Sequence, residues 1–167
     1  VSVTATELTQ LVAYLKEIGS EESTAPMPVV ISPNGLVGRY YAGITLAGNP
    51  LLTRNEAVNF NWGSGSPGTG VPADNFSVRW TGTVTIPTNG KYRFRTISDD
   101  GVRLYVNGSQ RINRWNDHSP TTDTSSSLSF NAGQRVSLTL EYYERGGGAV
   151  MQLQWQKPGS SSYMAIP

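Results

Sequence analysis

The sequence predicts an all-β domain preceded by one short helix. From Leu36 to the C-terminus, segments in which apolar and polar residues alternate recur at intervals of roughly ten residues, with turn-forming residues between them. The 18 glycines and 10 prolines among 167 residues fit many turns. Because 37% of the residues are hydrophobic, the chain can bury one substantial core, and we expect a single antiparallel β-sandwich or barrel.

Residues 1–19 carry the helical pattern. Thr4 precedes Glu7 by three positions, the spacing of a capping box, and Gly19 is a suitable residue to end a helix. Between them, apolar residues recur at helical intervals: Leu8, Leu11, Val12, Leu15 and Ile18. We therefore predict a short amphipathic helix over residues 1–19 and a polar, proline-containing linker over residues 20–34. The helix either packs on the β domain or is the tail of an upstream domain.

The alternation of apolar and polar residues is clearest from two adjacent β segments onward. Phe76–Ile86 and Lys91–Ile97 alternate on either side of the turn Pro87–Gly90, and we predict that they form a hairpin with one buried face. The second segment would bury Tyr92, Phe94 and Thr96 and place three basic side chains, Lys91, Arg93 and Arg95, on its opposite face.

Further strands follow the same alternation. They are expected at Val102–Val106, which the hairpin dipeptide Asn107–Gly108 would close, and then at Ser127–Phe130, Arg135–Tyr143 and Val150–Trp155. Trp80 and Trp155 lie inside alternating segments, so we expect both in the core. Trp62 precedes a glycine-rich loop and fits either the core or the surface.

Charge and motif content exclude several functional classes. The net charge of +1 gives no overall attraction to nucleic acid or to an acidic membrane, and the absence of cysteine removes thiolate chemistry and Cys-ligated metals. No apolar run approaches the length of a membrane-spanning helix. The sequence lacks a Gly-x-Ser-x-Gly elbow, an HExxH motif and a phosphate-binding glycine loop, and adjacent carboxylates cannot straddle a glycosidic bond. We expect a non-catalytic module.

Asp99-Asp100-Gly101 places two carboxylates side by side between two strand segments. Neighbouring like charges repel, so this triplet needs an explanation. Asp and Gly are both favoured in turns for local reasons, and a simple corner is one interpretation. The other is that a cation binds to the pair, because Ca²⁺ requires about six to eight oxygen ligands and tolerates irregular geometry.

The β region resembles the PA14 domain family in the stretches that begin at Gly35, Phe76, Gly90, Ser98 and Leu140: GLVGRYY, FSVRWTG, GKYRFR, SDDGVRLYVNG and LEYYERGGGA. They occur in the family's order across residues 35–167. The resemblance implies a PA14-type antiparallel β-sandwich or barrel. In lectin-like members, two consecutive Asp residues joined by a cis peptide hold Ca²⁺, which also ligates sugar hydroxyls.

This resemblance implies a ligand set. Asp99 and Asp100 would anchor Ca²⁺, and the loop after Tyr143 would complete its shell. Glu144 matches the position at which the lectins carry an Asn ligand, while Gly146 and Gly148 match positions whose backbone carbonyls face the cation. Glu is longer than Asn and charged, so the geometry or net charge of the site must differ. The loop could equally be a flexible turn.

A second candidate wall of the site carries Trp115, Asn116, Asp117 and His118. An exposed Trp ring could stack on a sugar, and the three polar side chains could bond to sugar hydroxyls. Arg145, in the other loop, is a further candidate carbohydrate contact. Alternatively, Trp115 plugs one end of the sandwich while Asp117 and His118 bond to backbone groups.

The function expected from these observations is calcium-dependent carbohydrate binding by a module of a larger extracellular protein, with a glycan or polysaccharide as partner. As an isolated domain it would be monomeric and would not insert into membranes. The alternative is a structural or protein-interaction PA14 domain that binds neither metal nor sugar. Residues 8–18 also show a short resemblance to the C-terminal helix of class I cytochromes c, which would place a haem domain upstream in the parent protein.

Overall fold

The structure is a computed structural model that describes residues 35–167. The predicted helix, the linker and the cytochrome-like segment lie outside the described residues. Within residues 35–167 the fold is all-β, with twelve strands and no helix, which confirms the predicted class. In this part of the chain, no helix is long and apolar enough to cross a membrane.

The strands follow one another at short intervals. In chain order they are β1 (Leu36–Ala42), β2 (Leu52–Glu56), β3 (Asn59–Gly63), β4 (Phe76–Thr85), β5 (Gly90–Asp99), β6 (Val102–Val106), β7 (Ser109–Arg114), β8 (Thr121–Thr124), β9 (Leu128–Phe130), β10 (Arg135–Glu144), β11 (Ala149–Gln156) and β12 (Tyr163–Ala165).

Two antiparallel sheets are formed, here called sheet A and sheet B. Sheet A has the strand order β2-β1-β4-β10-β6-β7. Sheet B has the order β12-β11-β5-β8, and two short strands extend it: β3 pairs with the first half of β11, and β9 pairs with the first half of β5. Within sheet A, only the hairpins β1–β2 and β6–β7 join strands that are consecutive in the chain.

The core lies between the sheets and is lined by alternate residues of the long strands. β11 reads buried, half-buried, buried along its whole length, as the period of two requires. Trp80 and Trp155 are buried, as predicted. Trp62 is partly buried against the core and stacks on Phe60 with ring centroids 4.7 Å apart, so its ring belongs to the packing of β3.

The predicted hairpin of β4 and β5 is wrong. β4 pairs with β1 and β10 in sheet A, whereas β5 pairs with β11 in sheet B. The turn Pro87–Gly90 instead carries the chain from one sheet to the other. The buried Ile86 donates its N–H to Gln134 O at 2.9 Å, so the end of β4 stays bonded to the segment that leads into β10.

The hairpin at Asn107–Gly108 is confirmed. β6 pairs with β7, and the two turn residues have φ values of +49° and +75°. Positive φ at both central positions is the requirement of the tight hairpin turn that Asn-Gly favours. This turn lies at the opposite end of β6 from Asp99 and Asp100.

Two connections cross between the sheets at the same end of the sandwich. One joins Asp99, the last residue of β5, to Val102, the first of β6; the other joins Glu144, the last residue of β10, to Ala149, the first of β11. Because β5 pairs with β11 and β6 pairs with β10, these crossings are neighbours in space. The fold thereby brings together two acidic segments that are about 45 residues apart in sequence.

Candidate metal centre

Asp99 and Asp100 form the first crossing and are joined by a cis peptide bond. Asp100 is only 5% exposed. Its Oδ1 accepts the backbone N–H of His118 at 2.9 Å, and its Oδ2 accepts the backbone N–H of Arg145 at 3.0 Å. A single carboxylate thus ties both candidate ligand-binding loops to the end of the sandwich.

Glu144, at the end of β10, faces the same point from sheet A. It is completely buried. The Tyr142 hydroxyl lies 2.5 Å from Asp99 O and 3.2 Å from Glu144 Oε2, and it is shared between these two acceptors. The other carboxylate oxygen, Oε1, has no hydrogen-bond partner within the described part of the chain. One carboxylate oxygen each from Asp99, Asp100 and Glu144 lies within 4.8 Å of the other two. We call these three residues the acidic cluster.

The electrostatics of the acidic cluster favour a bound cation. Burial, followed by the nearby charge of Asp100, raises the pKa of Glu144 to about 7, against the opposing hydrogen bond from Tyr142. Burial and the charge of Asp100 also raise the pKa of Asp99. Both groups are therefore harder to ionise here than in water, because three carboxylates converge in a poorly hydrated space. A divalent cation would compensate that repulsion.

The glycine-rich loop after Glu144 lies against the acidic cluster. The Gly147 N–H donates to Asp74 Oδ1 at 3.2 Å. A Cβ built on Gly148 would stand 3.8 Å from Asp99 Oδ2, so the backbone passes close to that carboxylate. Gly147 has φ +108°, a conformation that side chains disfavour. Gly146 and Gly148 as carbonyl ligands remain predictions.

Asp117 and Arg145 join the two loops above the acidic cluster. Asp117 Oδ1 accepts the Tyr143 hydroxyl at 2.6 Å, and Asp117 Oδ2 pairs with Arg145 Nε at 2.8 Å. The hydrogen bond from Tyr143 is the main reason that the pKa of Asp117 is lowered. The expectation that Asp117 bonds to backbone groups is not met, because its partners are side chains. About half of each ionic side chain stays exposed and can contact a ligand.

Trp115 does not plug the end of the sandwich. Its ring lies edge-on to Tyr143, with centroids 4.8 Å apart, and the guanidinium of Arg103 covers one face at 3.8 Å. Arg103 and Tyr143 belong to β6 and β10, so the ring rests on the side chains of sheet A. At most one face of the half-buried indole is open to a sugar.

The other two predicted contacts lie in the same loop. Asn116 is exposed and donates its side-chain amide to Asp117 O at 2.9 Å. His118 is half-buried, and its Nδ1 lies 2.8 Å from Ser119 O. If Nδ1 donates this bond, Nε2 is an acceptor; that atom is buried and has no partner among the described residues.

Sequence reasoning missed three residues that shape this site. Tyr142 bonds to Glu144, Tyr143 bonds to Asp117, and Asp74 holds the glycine-rich loop. The two tyrosines carry no distinctive signal in the sequence. Adjacent residues on a strand face opposite sides of a sheet, so an aromatic pair there is explained by packing and does not indicate a site. Asp74 precedes the loop by about 70 residues, and only the folded chain shows their contact.

Comparison with known proteins gives a family and several relatives. The family model for the PA14 domain matches residues 32–166. The anti-sigma-I factor RsgI3 of Acetivibrio thermocellus is 34% identical over 122 residues, which cover 73% of this chain and 19% of that protein. An anti-sigma factor domain-containing protein from Clostridium clariflavum aligns with a TM-score of 0.76 and 31% identity, over 89% of this chain and 50% of that one.

A structure described as a PA14 sugar-binding domain from an RTX adhesin aligns with a TM-score of 0.66, over 81% of this chain and 96% of that one. At 21% identity, this similarity shows a shared fold. The matched region of this chain spans about a fifth of the curated relative.

Proposed function

This chain belongs to the PA14 domain family, and we propose that it is a calcium-dependent carbohydrate-binding module of a larger extracellular protein. The domain is non-catalytic, like the anti-sigma factor and PA14 binding domains that it resembles. Its relatives include a domain described as sugar-binding, and the same fold holds an acidic cluster at its loop end here.

The observation that carries the proposal is the unpartnered Glu144 Oε1. A buried carboxylate oxygen without a hydrogen bond is costly, and such atoms in native proteins call for an explanation. Here it belongs to a convergent group of three carboxylates, which is an oxygen donor set suited to a hard cation. Ca²⁺ explains both the orphaned oxygen and the convergence.

Asp99, Asp100 and Glu144 would hold Ca²⁺, and carbonyls of the loop at Gly146 and Gly148 would complete its protein ligands. When bound, Ca²⁺ supplies coordination sites for two neighbouring sugar hydroxyls. Hydrogen bonds within the chain position these ligands. Asp100 fixes both loops through backbone N–H groups, and Tyr142 orients Glu144.

Residues around the acidic cluster would contact the remainder of the sugar. Arg145 and Asp117 offer a paired donor and acceptor, and the exposed Asn116 adds an amide. His118 and the open face of Trp115 border the same loop. These contacts are individually weak in water, which is why a metal that orients the hydroxyls would dominate affinity.

The test compares thermal melts of the wild type and Asp99→Asn in EDTA and in millimolar CaCl₂. Asp99→Asn is the informative variant, because Asp100 also ties two loops and its loss would disturb the fold. A ligand that binds only the folded state raises its stability by RT ln(1 + [L]/Kd), so wild type should melt higher in CaCl₂. Asp123→Asn, which removes a carboxylate of β8 that is not part of the acidic cluster, is the matched control and should keep the response.

A glycan array in CaCl₂ and in EDTA then tests recognition. The proposal expects binding that EDTA abolishes and Asp99→Asn abolishes. Coincident melts of wild type in CaCl₂ and EDTA would refute the metal site. Undiminished glycan binding in EDTA would show that the metal takes no part in recognition.

The second candidate is a protein-interaction domain. The observation that favours it is the similarity to proteins named anti-sigma factors, whose role is regulatory by name. In that case neither metal nor sugar would stabilise the domain, and the acidic cluster would be only a structural corner. The same melts and array separate the two candidates.

A further inference from the structure

The outward face of β5 carries three cations that the candidate metal centre does not use. Lys91, Arg93 and Arg95 alternate with core residues, so all three project from the outer surface of sheet B. Lys91 and Arg93 are exposed, and Arg95 is half-buried. We call these residues the basic stripe.

No acid neutralises the basic stripe within the described part of the chain. Ion pairs there join Arg54 to Glu56, Arg79 and Arg103 to Glu141, Arg114 to Asp123 and Arg145 to Asp117. Arg93 and Arg95 bond instead to neutral groups. Arg93 Nε donates to Ser127 Oγ at 3.0 Å, and Arg95 Nε donates to Gln154 Oε1 at 2.9 Å. The charges are therefore available to an external anion.

Arg95 is held in place rather than left free. Its guanidinium lies over the Tyr163 ring at 4.0 Å and donates a second bond to Gln154 Oε1 at 2.5 Å. A preorganised cation loses less conformational entropy when it binds a ligand. On neighbouring β11, Gln154 and Gln156 pair in register with Arg95 and Arg93. Their amides add hydrogen-bond donors and acceptors for sugar hydroxyls beside the charges.

The basic stripe continues from the acidic cluster along one strand. Asp99 lies on β5 at the same alternation as Arg95, Arg93 and Lys91. At about 3.3 Å per residue, Arg95 is about 13 Å from Asp99 along the strand and Lys91 about 26 Å. An extended ligand of several sugars can therefore reach both regions.

We propose that the basic stripe, with Gln154 and Gln156, binds the carboxylate groups of an acidic polysaccharide that runs along β5 from the calcium site. This inference rests on the proposed function and specifies its substrate class. Charge complementarity and continuity with the acidic cluster identify the occupant. The largely polar surface offers little to an amphipathic helix, whose apolar face needs an apolar partner.

The test measures binding of oligogalacturonates of two, four and six sugars, with fully methyl-esterified oligomers as neutral controls of the same backbone. The variant is Arg93→Gln with Lys91→Gln, because both side chains are exposed. The control, Arg39→Gln with Arg111→Gln, removes two exposed cations from sheet A and gives the same net charge. Calcium-induced melting shifts of both variants establish that fold and metal site are intact.

Wild type should bind the charged hexamer at least about tenfold more tightly than the esterified one at low salt, and the difference should shrink as salt rises. The basic-stripe variant should lose most of that difference, whereas the control variant should keep it. Equal losses in both variants, or equal affinity for charged and esterified oligomers, would overturn the inference and leave calcium-dependent sugar binding standing. Charge-dependent binding that persists unchanged in EDTA would support the basic stripe and refute the calcium proposal.

Discussion

At the scale of single residues, Asp99 and Asp100 have different roles although they are adjacent. Both belong to the acidic cluster, but only Asp100 accepts two backbone hydrogen bonds from the loops. Asp100 therefore fixes the geometry of the loops, whereas the side chain of Asp99 contributes charge to the acidic cluster without holding either loop. Variants of the two residues can test this division.

Asp100→Ala should destabilise the metal-free domain, whereas Asp99→Ala should not. The first change strips partners from the N–H groups of His118 and Arg145, at about 1 to 3 kcal/mol for each donor that becomes unsatisfied. The second relieves repulsion within the acidic cluster. Urea denaturation in EDTA measures both free energies of unfolding. Equal destabilisation by the two variants would contradict the division of roles.

The variant Glu144→Gln tests the effect of the charge on Glu144, the most buried residue of the acidic cluster. Gln keeps the size of the side chain but removes an ionised group that burial and Asp100 disfavour. In EDTA above pH 7, where the wild-type carboxylate is ionised although burial raises its pKa to about 7, the variant should melt several degrees higher than wild type, because it relieves a destabilisation of roughly 1 to 3 kcal/mol. It should also bind Ca²⁺ more weakly.

Melts in EDTA check that the melting temperature rises, and calorimetric titration checks that Ca²⁺ binds more weakly. Asp123→Asn serves as the comparison, because it breaks an ion pair with Arg114 outside the acidic cluster and should not raise the melting temperature. A Glu144→Gln protein that melts lower in EDTA and binds Ca²⁺ as wild type does would show that this carboxylate is structural.

At the scale of elements, local sequence predicted strands better than it predicted their partners. The buried and exposed faces of β5 follow directly from alternation, and Asn107–Gly108 specifies its own hairpin. The turn Pro87–Gly90 has equally good turn residues, yet it crosses between sheets. Alternation indicates that one face of a strand is buried, but it does not indicate to which sheet the strand belongs. The wrong pairing of β4 with β5 could therefore not be detected from these two segments alone.

The same limit applies to the candidate site. Asp99 and Asp100 stand out in the sequence because they are adjacent, and the family resemblance supplied Glu144. Asp74 and the tyrosines act through contacts made by distant strands, so no local pattern indicates them. The ring of Trp115 was expected at an end of the sandwich or open to a sugar. Its cover by Arg103 depends on the neighbouring strand β6.

Two glycines separate backbone effects from steric effects at the turns. A Cβ on Gly101 would stand 2.2 Å from the Tyr143 ring, whereas a Cβ on Gly108 meets nothing within 4 Å. Gly108→Ala should cost about 1 kcal/mol through its positive φ alone and leave calcium affinity unchanged. Gly101→Ala should cost more and weaken calcium binding, because Tyr143 must move and it directly precedes Glu144 on β10.

Melts and calcium titrations of the two glycine variants test this contrast. Equal losses of stability with unchanged calcium affinity in both would show that the packing of Tyr143 on Gly101 has no influence on the site.

At the scale of the whole molecule, both sheets must meet for the site to exist. Asp99 and Asp100 follow a strand of sheet B, and Glu144 ends a strand of sheet A. A cation held by all three would therefore bridge the sheets, and its binding energy would add to the stability of the sandwich as a unit. The affinity for calcium would then change when a sugar binds at the same place.

If sugar hydroxyls complete the calcium shell, calcium and glycan must strengthen each other's binding by one common factor, because linkage between two ligands is reciprocal. The calcium affinity measured with saturating glycan, divided by that without it, should equal the ratio of glycan affinities measured in calcium and in EDTA. Calorimetric titrations in both orders supply all four constants. A glycan that leaves calcium affinity unchanged, while binding equally well in EDTA, must occupy a surface that is independent of the acidic cluster. A common factor well above one is the outcome expected if the two ligands share a single shell at the acidic cluster.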